Sequence, residues 1–220
     1  MSDNDKALTA RRSLLNGIGA AALAGVALAG TQVASAQENP RRSEPRAHAL
    51  DAWMDAIPGD HRVFIDTDNT AGGTNALRYA SNILNAHVNA YEGKEQDMAM
   101  IICYRHASTP LGFNDAMWEK YGSIFSSFGR PPGQEVETPV KNPQADNIAA
   151  AVARGIHFAI CNSATTMFSG LIARQTEQEA AAVLAELVAN IISNGHMVPA
   201  GVMAITRAQE HGYSFMYSAA

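Results

Sequence analysis

The sequence predicts an α/β fold, with a mostly parallel sheet covered by helices on both faces. Three observations predict it. From His48 onward, strand-like and helix-like segments alternate, which implies right-handed crossovers between parallel strands. Residues 98–104 form a continuous apolar run, as in a strand buried on both faces. Leu77, Ala80, Leu84, Val88 and Tyr91 recur instead at helical spacing, which gives an amphipathic helix of about 18 residues.

Each element follows in order. The first strand is the run Val63-Phe64-Ile65, ending in Asp66-Thr67-Asp68-Asn69 and Gly72-Gly73, and the second is 98–104. Asn114 caps a short helix over 114–121. Residues 123–143 carry Gly129, Pro131, Pro132, Gly133 and Pro139 and read as a long loop, a kind that is usually functional or mobile. Pro143 opens a helix that runs to Arg154 and stops at Gly155. Residues 156–160 are the third strand, and a helix begins near Ala164. Thr176 with Glu179 spells a capping box for another helix, whose Val183, Leu184, Leu187 and Ile191 share one stripe. Residues 201–206 read as a fourth strand and 213–217 as a short fifth. Ligands of such sheets bind at the carboxyl ends of the strands. Those ends are 66–73, Arg105-His106, 161–163 and 207–210.

Composition narrows the function. The 220 residues are 47% hydrophobic and 17% charged, enough apolar content for a real core and too much for a disordered chain. Residues 1–36 read as an export signal: Arg11-Arg12, an apolar stretch rich in Ala and Gly, then the small-residue site Ala34-Ser35-Ala36. The paired arginines resemble a twin-arginine signal, which delivers folded protein to a bacterial periplasm. The apolar run is about 17 residues, short for the ~20 that a membrane-spanning helix needs. Residues 37–47 read as a linker and 48–220 as one domain. Without residues 1–36 the chain keeps 13 basic against 19 acidic residues, a net charge of −6. Such a chain has no global field for nucleic acid. Two cysteines are too few for a disulfide scaffold or for a closed tetrahedral zinc site built on thiolates.

Three constellations carry chemistry. Cys161 stands where the third strand gives way to Asn162-Ser163 and a helix, and helix-terminal N–H groups favour a thiolate there. The competing reading is an inert buried cysteine. Cys103, between Ile102 and Tyr104, reads as core, and an oxidising compartment also allows a Cys103–Cys161 disulfide. Asp66 and Asp68, on alternate residues at a strand end, suit a divalent ion and a metal-assisted hydrolase. Turn hydrogen bonding explains them more simply. Arg105-His106 ends the second strand, where His106 is an acid/base, an anion ligand or a hydrogen-bonded structural residue. His87 and His157 read as packing, and His48, His61, His196 and His211 show no metal-ligand spacing.

Taken together, Leu77 to Asn85, Arg105-His106, Asn114 to Gly122, Gly155 to Asn162 and Val198-Pro199-Ala200-Gly201-Val202 resemble the DsrE/DsrF-like proteins, in particular an exported subgroup with twin-arginine signals. The likeness covers about 61–215, most of the chain beyond the signal. It implies a three-layer α/β/α sandwich of about five strands, assembled as a trimer or hexamer and using no cofactor. It also implies persulfide sulfur carried on a strand-end cysteine, a position that Cys161 matches, with Arg105, His106 and Asn162 as its neighbours. A donor or acceptor protein for the sulfur follows from that reading. A hydrolase at Asp66 and Asp68, or a non-catalytic oligomeric binding module, are the alternatives.

Overall fold

The computed structural model describes residues 47–131 and 138–219. The signal segment, nearly all of the linker and part of the 123–143 loop lie outside the described residues. Five strands, β1 (His61–Thr67), β2 (Met98–Tyr104), β3 (His157–Cys161), β4 (Gly195–Val198) and β5 (Ser214–Tyr217), form one sheet in the order β4-β3-β2-β1-β5. Every pairing is parallel. Among the described residues, seven α-helices connect and cover them: α1 (Ala52–Ala56), α2 (Thr70–Ala90), α3 (Asp115–Ser127), α4 (Ala145–Ala153), α5 (Asn162–Thr176), α6 (Ala180–Ala189) and α7 (Gly201–Glu210).

Side-chain alternation splits the core in two. On the first face Ile65, Ile102, Tyr104, Phe158 and Ile160 pack under Leu84 of α2, Phe125 of α3, Ile148 of α4, Phe168 of α5 and Leu187 of α6. On the second face Phe64, Ile101, Cys103, Ala159 and Val198 meet Met54 of α1 and Ala204 and Ala208 of α7. Helices on both faces of a parallel sheet make the three-layer α/β/α sandwich. Each large side chain buried in this way contributes about 1.5–3 kcal/mol. Among the described residues, no helix is long and apolar enough to cross a membrane.

Four expectations need correction. Residues 201–206 are not a strand: they open α7, and β4 is the short run before Pro199. Small residues carry the buried stripe of α7, with Gly201, Ala204 and Ala208 inward while Val202 and Met203 are 62% and 52% exposed. An apolar count therefore points the wrong way there. Arg207 and Glu210 accordingly close a helix rather than a strand, and Arg207 is bound to Asp51 at 2.6 Å and to Glu210. The helix from Asn114 continues to Ser127, because Tyr121, Ile124 and Phe125 extend its buried stripe into the supposed loop. Thr176 and Glu179 form no capping box. Thr176 is the last residue of α5, donating its hydroxyl to the Ile172 carbonyl, and Glu177 ends the helix in the left-handed region at φ 55.

The cap at Asn114 holds, with its side chain accepting the Met117 N–H at 3.3 Å. Asn69 likewise caps α2 by accepting the Gly72 N–H at 2.7 Å. Gly72 and Gly73 serve close packing, since side chains there would run into the Ser218 carbonyl and Leu111.

Candidate functional site

Adjacent strands β3 and β4 send their outgoing helices to opposite faces. The α5 helix leaves β3 for the first face and α7 leaves β4 for the second. In a parallel sheet this divergence opens a crevice outside the carboxyl ends of the two strands, the usual place for a ligand. Cys161, the last residue of β3, stands there in register with Val198 of β4. The strand runs on to Cys161 and α5 starts at Asn162, so no loop separates thiol from helix.

Cys161 is the N-cap of α5. Its Sγ accepts the Ala164 N–H at 3.4 Å, and its carbonyl accepts the Thr165 hydroxyl at 2.9 Å. The first-turn N–H groups lack helical partners, so they supply positive potential at the sulfur. Ser163 donates to the Pro199 carbonyl at 3.0 Å and ties the two sides of the crevice together. Asn162 is half-buried at the first turn, its carbonyl accepting from Thr166. Cys161 is 6% exposed, whereas Cys103 is fully enclosed.

Cys103 lies on the same face but pairs with Ala159, two residues below Cys161. One strand spacing across and two residues along put the Cα atoms about 8 Å apart, beyond the ~7 Å limit for a disulfide. Both thiols are free, so the disulfide alternative is not realised. Burial pushes the Cys103 thiol well up, and the Asp66 carboxylate adds to the effect.

Asp66 is neither a turn residue nor a free metal ligand. Arg105 grips it in fork geometry, Nε to Oδ1 and Nη2 to Oδ2, both at 2.8 Å. The Asp66 side chain is only 2% exposed and that of Arg105 21%. The hydrogen bonds that Arg105 donates to Asp66 hold its guanidinium charged. A glycine at 201 makes room for the pair, since a Cβ there would lie 2.6 Å from Arg105 Cβ and 3.2 Å from Cys103 Sγ. Burial works against ionisation of Asp68, but hydrogen bonds with Tyr217 and Asn69 and the charges of Arg105 and His106 outweigh it and hold the carboxyl low. Among the described residues, no three His, Cys, Asp or Glu side chains come together as a metal site.

Arg105 therefore shares the second face with both cysteines. His106 does not: it adopts φ 53 and its ring packs edge-on to Phe128, in the first-face core, at 5.9 Å. Sequence reasoning missed Tyr217 and the Pro199–Gly201 junction. Only the pairing of β5 with β1 brings Tyr217 opposite Asp66.

The chain matches no family model, and none of the curated proteins matches it. Among solved structures it is similar to a protein of unknown function, MTH1491, from Methanobacterium thermoautotrophicum. The identity is 13% and the TM-score 0.42, over 72% of this chain and 99% of that one.

Proposed function

We propose that this protein is an exported, DsrE-like sulfur carrier that holds sulfane sulfur as a persulfide on Cys161. The observation that supports the reading best is the Cys161 sulfur itself, capping α5 in the crevice between β3 and β4. The chemistry needs no cofactor and no net oxidation. The Cys161 thiolate attacks the outer sulfur of a donor persulfide, the donor S–S bond breaks, and the donor leaves as a thiolate. An acceptor thiolate removes the same sulfur by the reverse logic. The Ala164 N–H at the start of α5 is the hydrogen-bond donor that meets this sulfur. Asn162 borders the crevice, while the His106 ring packs against Phe128, away from the cysteines. The bidentate grip of Arg105 on Asp66 weighs against the hydrolase reading, because a divalent ion would have to displace a guanidinium.

Assembly as a trimer or hexamer, and docking of a donor or acceptor protein, belong to the same reading. Exposed Val202 and Met203 on α7 supply apolar surface for such contacts. Incubation with polysulfide is expected to add the mass of one sulfur atom to the intact protein and none to Cys161→Ser. Undiminished loading of the serine variant refutes the proposal. Export is tested separately: periplasmic protein should begin at Gln37 after cleavage behind Ala36. Recovery of the uncleaved chain in membranes would instead favour an anchor.

A further inference from the structure

Among the described residues, one edge of the sheet is bare. β5 pairs with β1 on its inner side and is exposed at every residue, whereas β4, at the other edge, is half-buried or buried throughout. Phe215, Met216 and Tyr217 keep 46%, 37% and 46% exposure. The Ser218 N–H bonds the Asp66 carbonyl, so Ser214, Met216 and Ser218 turn their main-chain groups toward β1. Phe215 and Tyr217, between them, turn N–H and C=O outward, with no strand beyond to receive them. Native edge strands are usually guarded by Lys, Pro or a bulge. β5 is Ser-Phe-Met-Tyr in unbroken register with β1 and carries none of these.

We infer that β5 is a self-association edge, pairing antiparallel with β5 of a second copy about a twofold axis at Met216. Outward main-chain groups accept only an extended strand, and this edge is complementary to itself. With Met216 opposite the partner's Met216, Phe215 falls opposite the partner's Tyr217, and Tyr217 opposite the partner's Phe215. Both are pairs of outward-facing residues, so each exchanges two hydrogen bonds. Phe215 is in register with Phe64, which places Phe215 and Tyr217 on the second face and sets a phenyl beside a phenol in each pair. The two sheets join into one of about ten strands, within the usual size. The three exposed side chains hold roughly 250–300 Å² per copy. That is less than the ~800 Å² per partner of a standard interface, so the association is reversible on dilution. It is independent of the carrier reading, and its twofold axis suits a hexamer but not a lone trimer.

The test places a cysteine on the axis. In the full chain carrying Cys161→Ser, Met216→Cys brings together two thiols whose Cα atoms lie about 4.5 Å apart, within disulfide range. Ser214→Cys, also exposed on β5, lies about 14 Å from its own copy across the same pairing and is the control. A mild oxidant should link Met216→Cys into dimers at least about tenfold faster than Ser214→Cys. Sedimentation should show the parent dimerising as concentration rises. Met216→Lys sets like charges opposite each other and should weaken that association at least about tenfold. Where Met216→Lys does not fold, the ratio of cross-linking rates decides alone. A parent that stays monomeric at every concentration overturns the inference and leaves the edge to a strand of another protein. Equal cross-linking of the two cysteines, or undiminished association of Met216→Lys, overturns it in favour of a contact elsewhere on the surface. Neither result bears on sulfur loading at Cys161.

Discussion

Iodoacetamide at pH 7 labels Cys161 at least about a hundredfold faster than Cys103 in the native protein, and labels both equally in denaturant. Two effects combine. Cys161 keeps 6% exposure at a strand end, whereas Cys103 is fully enclosed under Gly201 and Arg105 and is modified only when the second face opens. A core strand opens at a cost of several kcal/mol, and each 1.4 kcal/mol slows the reaction about tenfold. Burial and the neighbouring Asp66 also keep Cys103 protonated, so even an open chain passes through a poor nucleophile before Cys103 is fully solvated. Peptide mapping at a series of times reads both rates. Similar rates would show that the crevice gives Cys161 no special access and would remove the physical basis of the carrier proposal.

Arg105→Ala destabilises the fold by about 3–5 kcal/mol, while Asp66→Asn costs about 1–2 kcal/mol. The asymmetry follows from the exposure of the two partners. Removing Arg105 leaves a carboxylate that is only 2% exposed with no counter-charge. Asparagine at 66 keeps an acceptor for the guanidinium, and Arg105, a fifth exposed, can turn its charge toward water. Urea denaturation of the two variants measures the difference. Equal losses would mean that the pair acts as a surface ion pair, with little held in the burial of Asp66.

Much of the fold was legible because certain segments satisfy only one physical arrangement. The run over 98–104 is apolar at every position, and it became β2 at those limits, buried throughout except at half-buried Met98. Asn114 and Gly155 marked a helix start and a helix stop, and Gly155 takes φ 80 after α4. The misreading of 201–206 had the larger consequence. Glycine and alanine fill the buried positions of α7, while the apolar Val202 and Met203 point outward, so the run of apolar residues over 201–205 read as a strand. With α7 taken as a strand, the divergence of α5 and α7 could not be foreseen, although Cys161 itself was placed correctly at a strand end. Asp66 was misread for another reason. Its partner Arg105 is 39 residues away and meets it only through the β1–β2 register.

The two-residue stagger between Cys103 and Cys161 sets what an oxidant can do to this molecule. Oxidation of Cys161 to a sulfenic acid leaves that sulfur with no second thiol within reach, since closing the gap would require β2 and β3 to slide out of register. The next covalent bond is therefore made outside the chain, to a small thiol or to another protein. The protein holds two thiols and has the valency of one.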